Sequence, residues 1–417
     1  MAQSQHAPPA DEVRAFLESR KADLRQDLAD LLRARTVNPP GDEHRAAKVF
    51  TRFCDAERIR CEVFEKMPGR ANVVARIGRG RPKVAVALHF DVVPAGDGWE
   101  TDPFEPAERG GRVYGRGAKD NKGPLAAMML AARFLKTREA DLPGQFLLVA
   151  VADEEAGSDF GMKYLLEECG LEADASIVPD AGHEMRLIDV GEKGALFFKV
   201  VAEGWQAHGS SPERGASALW PVVEFLERIR SWRPLDHVRD RPEAVEGRPA
   251  APKSDLFSPP TLNVGAVHAG TVPNMVPGRC EALVDVRYLP GTEGKEILAH
   301  MRKVLAEVEA KAPGVRMRLE VLSDQPPTLL APGHALVEII QRRTEEATGI
   351  RPTIYGQSGA SVAKFLLLRG IPAVGFSCGP EGVEHMANEW VSLEELAAFA
   401  RVMTLVVWDL MAKGVGG

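Results

Sequence analysis

The stretch Val84-Ala-Val-Ala-Leu88-His89-Phe90-Asp91 decides the fold. Five apolar residues in unbroken succession predict a strand buried on both faces, and the chain leaves that strand through an imidazole and a carboxylate. Such a strand needs cover on each side, and the neighbouring sequence supplies it. Residues 124–135, rich in Ala, Met and Leu, predict a helix. Phe146-Leu-Leu-Val-Ala-Val151 predicts a second buried strand, 162–168 a helix, and Ala175-Ser-Ile-Val178 a third strand. Upstream, Val13, Phe16, Leu17, Leu24, Leu28, Leu31 and Leu32 recur at helical spacing and predict one helix over 13–33. Asn38-Pro39-Pro40 stops it, and a second helix follows over 42–56. Near the C-terminal end, helices are predicted over 334–348, 361–368 and 393–411, with a strand at 373–376. Strands alternating with helices imply an α/β domain whose largely parallel sheet is covered on both faces.

The middle of the chain has another rhythm. A strand (194–203), a helix (216–231), two strands (261–267 and 279–288), a helix (292–311) and a strand (315–322) give the order β-α-β-β-α-β, the ferredoxin-like arrangement. A polar, proline-bearing loop is expected at 236–260. The expected organisation is a catalytic domain in two parts, 1–190 and 324–417, with a lid domain inserted at 191–323.

A length of 417 residues suits two domains, and 45% hydrophobic with 27% charged residues describes a globular chain. A formal net charge of -7 disfavours nucleic acid as a partner, because phosphate binding needs a basic surface. No run of about 18 apolar residues predicts a membrane span. The polar start, 1–10, lacks the basic and apolar segments of a signal peptide. Five scattered cysteines, odd in number and without a CxxC, read as reduced thiols in a cytoplasmic protein.

The chemistry is positional. The first buried strand runs into His89 and Asp91, the second into Asp153-Glu154-Glu155, the third into Asp180, and the late strand leads on to His385. Asp120 lies in the glycine-bearing loop before a predicted helix. Ligands of open α/β sheets bind outside the carboxyl ends of the strands. Carboxylates crowded there repel one another unless cations neutralise them. Histidine and carboxylate donors without thiolates suit zinc, cobalt or manganese. One aspartate can bridge two such ions, and paired ions activate a water.

His89-Phe-Asp91-Val-Val-Pro94, Tyr114-Gly-Arg-Gly-Ala-Lys-Asp120-Asn-Lys-Gly123, Asp153-Glu154-Glu155, Asp180 and His385 occur in order over almost the whole chain. In this the sequence resembles the metallopeptidase family of acetylornithine deacetylase, succinyl-diaminopimelate desuccinylase, aminoacylase and the carnosinase-type dipeptidases. The resemblance implies two divalent ions, zinc first and cobalt or manganese as alternatives, bridged by Asp120. His89 and Asp180 would complete one site, Glu155 and His385 the other. Asp91 would hydrogen-bond the His89 imidazole and fix its tautomer. Glu154 would be the general base of amide hydrolysis, moving a proton from water to the leaving amine. The family also implies a cis peptide bond after Asp120.

Trp205-Gln-Ala-His208-Gly-Ser-Ser-Pro212 is similar to the family's lid segment, so His208 would steady the oxyanion, often from a partner subunit, within a homodimer formed through the lid. By the same resemblance Asn263 and Arg287 would contact the substrate, Arg287 through a carboxylate. Asn274, in Val272-Pro-Asn274-Met-Val-Pro277, reads as a turn residue. In Ser358-Gly-Ala-Ser-Val-Ala-Lys364 the sequence departs from the family's deacylases, with Val362 in place of an aspartate and Lys364 in place of an arginine. Lys364 would still offer a substrate a cation, without the guanidinium fork. Asp180 and Asn121-Lys-Gly-Pro124 are similar to the dipeptidase branch. The expectation is therefore a peptidase of dipeptides or short peptides. N-acyl amino acid deacylation is the alternative, and a catalytically inactive binding protein is a remote third.

Overall fold

The structure is a computed structural model describing residues 7–230, 232 and 256–414. The chain divides into two compact units, one of Met1–Val190, Leu330–Tyr355 and Ala360–Gly417, the other of Gly191–Leu329 with Gly356–Gly359.

The first unit opens with helices α1 (Ala10–Ser19), α2 (Lys21–Arg33) and α3 (His44–Ala56). The single helix expected over 13–33 is thus two helices. The Ser19 hydroxyl donates to the Phe16 carbonyl at 2.7 Å, and Arg20 leaves the helical region at φ -113°, ψ 15°. A local side-chain bond of this kind competes with the helix's own ladder. Strands β1 (Arg60–Glu65), β2 (Ala71–Gly78) and β3 (Lys83–His89) follow, then the short β4 (Ala107–Arg109) and β5 (Arg112–Tyr114). Helix α4 (Lys122–Thr137), strand β6 (Gln145–Val151), helix α5 (Met162–Glu167) and strands β7 (Ala175–Val178) and β8 (Leu187–Glu192) complete this part.

The inserted unit holds β9 (Gly194–Glu203), α6 (Leu219–Arg230), β10 (Thr261–Ala269), β11 (Arg279–Tyr288), α7 (Gly294–Glu309), β12 (Arg316–Gln325) and the short β13 (Thr328–Leu329). Its four-stranded antiparallel sheet has the order β10-β11-β9-β12, the spatial order of a ferredoxin-like fold. Alternate residues Leu196, Phe198, Val200 and Ala202 of β9 point to one face. There they pack with Val222, Phe225 and Ile229 of α6 and Ile297, Met301 and Val308 of α7. Most of the loop expected at 236–260 lies outside the described residues.

The chain ends with α8 (Ala335–Thr348), β14 (Thr353–Gln357), α9 (Val362–Leu368), β15 (Ala373–Gly375), β16 (Trp390–Ser392) and α10 (Leu393–Lys413). No helix among the described residues is long and apolar enough to cross a membrane.

The large sheet of the first unit runs β1-β2-β6-β3-β7-β15-β8. Its centre is parallel, with β3 between β6 and β7, and β15 beside β7; β1 and β2 extend it antiparallel. Ala85 and Ala87 of β3 pack with Met162, Leu165, Val362 and Leu366, while Val84, Val86 and Leu88 are buried on the other face. The unbroken apolar run is therefore the signature of double cover. Because β6, β3, β7 and β15 point the same way, His89, Asp153 to Glu155, Asp180 and the segment leading to His385 all leave the sheet at one edge.

Behind that edge lies a buried ion cluster. Arg70 donates to both Glu43 oxygens at 2.8 Å and to Asp153 at 2.8 Å. Replacing Arg70 by Leu strands two buried carboxylates and should cost about 3–5 kcal/mol of stability. Arg60→Ala, which breaks the exposed pair with Glu62, should cost less than about 1 kcal/mol. Urea unfolding midpoints check both, and equal effects would refute the account of the cluster.

Candidate metal centre

His89 is the last residue of β3, with its ring buried. Its Nε2 lies 2.9 Å from Asp120 Oδ1 and 3.8 Å from Asp180 Oδ1. On the other side of Asp120, His385 Nε2 lies 3.3 Å from Asp120 Oδ2 and 3.3 Å from Glu155 Oε2. The structure thus forms two clusters of potential ligand atoms, His89–Asp120–Asp180 and Asp120–Glu155–His385, sharing one aspartate. The peptide bond from Asp120 to Asn121 is cis.

The carboxylates here fall into two kinds. Asp91 is saturated: its oxygens accept from the Glu154 and Glu155 amides at 3.1 Å each and from Asn38 Nδ2 at 2.9 Å. It therefore fixes the turn that presents Glu154 and Glu155. The closest partner of His89 Nδ1 is the Asp91 main-chain carbonyl at 2.9 Å, with the Asp91 carboxylate at 3.5 Å. An Nδ1–H donated to that carbonyl turns Nε2 toward Asp120 and Asp180, where it carries a proton or, once that is lost, offers its lone pair to a metal. Asp153, at φ 64°, accepts from Arg70, from Asn38 and from the Phe160 amide. By contrast, Glu155 Oε1 is buried with no hydrogen-bond partner among the described residues. A buried carboxylate oxygen left bare on a group that faces an imidazole is what a cation would occupy, and the all-oxygen-and-imidazole donor set fits a divalent ion.

The electrostatics agree. Burial pushes Glu154 well above the usual carboxylate range, with the Asp180 charge adding to it, and burial also raises Glu155. Hydrogen bonds to Asp120 and Glu155 push the His385 imidazole up to about 10. Burial would lower His89, but its bonds to Asp120, Asp180 and Asp91 outweigh that and hold it well above the ordinary value. These groups demand positive charge at the centre, as protons on the imidazoles or as metal.

Residues 85–409 match the family described as peptidase family M20/M25/M40. The chain belongs to this family. It is 28% identical over 404 residues to an uncharacterized metallohydrolase of Methanocaldococcus jannaschii, covering 90% of this chain and 96% of that protein. It is 30% identical over 395 residues to the succinyl-diaminopimelate desuccinylase of Parvibaculum lavamentivorans, covering 91% and 94%. Its fold is similar to that of the Bacillus cereus aminopeptidase PepT, with a TM-score of 0.74 at 21% identity over 94% of this chain and 98% of the other. This M20 family member is accordingly a metal-dependent hydrolase of amide bonds.

His208, Asn263 and Arg287 belong to the inserted unit. His208 is exposed, its Nδ1 2.7 Å from Ser210 Oγ. Asn263 is exposed on β10 opposite Asp285, and Arg287 is paired with Asp285 at 2.9 Å. Lys364 is fully buried on α9. Sequence reasoning overlooked Lys122, immediately beyond Asn121. It is wholly buried, its amine has no hydrogen-bond partner among the described residues, and burial pushes it down to about 7. It also overlooked Arg116 and Glu389. The signal for both was present in Gly115-Arg-Gly117 and in Glu389, four residues after His385.

Protonated imidazoles compete with metal. At neutral pH, binding should displace a proton from each histidine, about one per ion, and affinity should rise with pH until about 10, the value for His385. Calorimetry of the apo-protein in buffers of different ionisation enthalpy checks this. An affinity flat across the neutral range would contradict it.

Proposed function

We propose that this M20 hydrolase is a peptidase of dipeptides or short peptides, working with two divalent ions, zinc first and cobalt or manganese as alternatives. The observation that carries the reading is the pair of ligand clusters joined by Asp120, with the half-buried carboxyl of Glu154, raised above the usual carboxylate range, beside them. His89, Asp120 and Asp180 would hold one ion, and Asp120, Glu155 and His385 the other. When bound, the ions polarise the scissile carbonyl and make water nucleophilic at neutral pH.

The chain's own groups do the rest. Asp91 orients His89 and, through its carboxylate, holds the turn carrying Glu154. The Glu154 carboxylate takes a proton from the attacking water and returns it to the leaving nitrogen. A carboxyl group suits both transfers, because as carboxylate it accepts from water and as acid it donates to an amine. From the inserted unit, His208 would donate to the oxyanion, and Asn263 and Arg287 would contact the substrate. Asp180, and Lys364 buried where the family's deacylases carry an arginine, support a peptidase rather than an acyl-group pocket. The 30% identity to a desuccinylase favours the second reading, removal of an acyl group from an N-acyl amino acid.

A homodimer through the inserted unit belongs to the same proposal. Its support is the edge strand β10, paired among the described residues only with β11 and exposing Val264 and Val267. Free cysteines support a cytoplasmic location.

Turnover of dipeptides against N-acetyl and N-succinyl amino acids, with zinc, cobalt and manganese in turn, decides the substrate. Cleavage of the acyl set alone would sink the peptidase reading. Glu154→Gln should lower kcat by about 10²–10⁴-fold with both ions retained. Wild-type kcat in that variant would remove Glu154 from the mechanism.

A further inference from the structure

Of the three segments that supply ligands to the second cluster, two are the loop after β5 with Asp120 and the segment before β16 with His385. They are cross-braced by side chains that bind the main chain of ligand residues rather than the ligand atoms themselves. Glu389 is fully buried, and both its oxygens point at donors. Its Oε1 accepts the main-chain N–H of Lys119 at 2.8 Å and of Asp120 at 2.9 Å. Its Oε2 accepts the Gly117 N–H at 3.0 Å and Arg116 Nη1 at 2.7 Å.

The Arg116 guanidinium, also buried, spends its other arm on main-chain carbonyls. Nη2 donates to His385 at 3.1 Å and to Ala95, in the loop after β3, at 3.1 Å. His385 sits at φ 62°, a conformation uncommon outside glycine, and its carbonyl is tied down by this bond. A second brace runs parallel. Lys119, beside Asp120, pairs with Glu384, beside His385. The frame is stiffened further where Tyr114 of β5 pairs with Trp390 of β16.

We infer that Arg116 and Glu389 are positioning residues that preset the Asp120–Glu155–His385 cluster, so that one ion of the pair depends on them more than the other. The inference rests on the two-ion reading above. Its geometric reason is asymmetry. Glu389 holds the main chain of the shared Asp120, and Arg116 binds the carbonyl of the ligand His385 itself, whereas on the side of the His89–Asp180 cluster it reaches only the Pro94 and Ala95 carbonyls, beyond His89 in the chain. Glutamine cannot replace Glu389 in this role. All four partners are donors, and an amide would aim its own NH₂ at two of them.

The test is titration of the metal-free protein with zinc by calorimetry and with cobalt by visible spectroscopy. Wild type should bind two ions. In Glu389→Gln one of the two ions should lose about 10–100-fold in affinity, as loss of a partner behind a ligand does, with the other shifted much less. Arg116→Lys keeps the charge but loses the fork, and should give the same selective loss if Glu389→Gln fails to fold. Asp409→Asn, which breaks the pair between Asp409 of α10 and Arg343 of α8, controls for general destabilisation and should leave both affinities unchanged. Two ions bound by both site variants with wild-type affinity, or both ions weakened equally, would overturn the inference. A wild type that binds fewer than two ions would instead overturn the two-ion reading.

Discussion

Like charges crowded at one edge of a parallel sheet are the constraint to which the rest of the first unit answers. Strands β6, β3, β7 and β15 point the same way, so the groups that follow them share one small volume. Asp120 lies within 3.3 Å of two imidazoles, one of which is also 3.3 Å from Glu155 and the other 3.8 Å from Asp180. Carboxylates this close and this buried stay ionised only where positive charge is supplied. The imidazoles supply it as protons, and a divalent ion supplies it more completely.

The protein meets this constraint by dividing its acids into two populations. Asp91, Asp153, Glu43 and Glu389 are saturated by protein donors, and each thereby fixes a stretch of main chain. Among the described residues the side chains of Asp120, Asp180 and Glu155 meet only imidazoles, and one Glu155 oxygen meets no donor. The first population is scaffold and the second is offered to a ligand. Rigid placement of the second depends on saturation of the first, which is why a charged network surrounds a charged site.

Much of the fold was legible because its signals are local. The run Val84 to Leu88 announced a doubly covered strand, and the β-α-β-β-α-β order announced the inserted sheet. Strands β1 and β2 were not read. β1 is half exposed and carries Glu62 and Glu65, and β2 is interrupted by Arg76, so neither shows a clean apolar period. The helix break at Arg20 was hidden because the apolar spacing continues through it, and only the Ser19 bond to Phe16 marks it.

The sequence by itself determined which residues could meet, since strand polarity carries His89, Glu154, Glu155, Asp180 and His385 to one edge. Tertiary structure decided what each does there. Asp91 and Asp120 are the same residue type, but one receives three N–H donors and the other faces two imidazoles. Glu389 reaches the Asp120 amide across 269 positions of sequence. No local pattern encodes a bond between groups so far apart, because donors and acceptors are assigned only when the chain has closed around them.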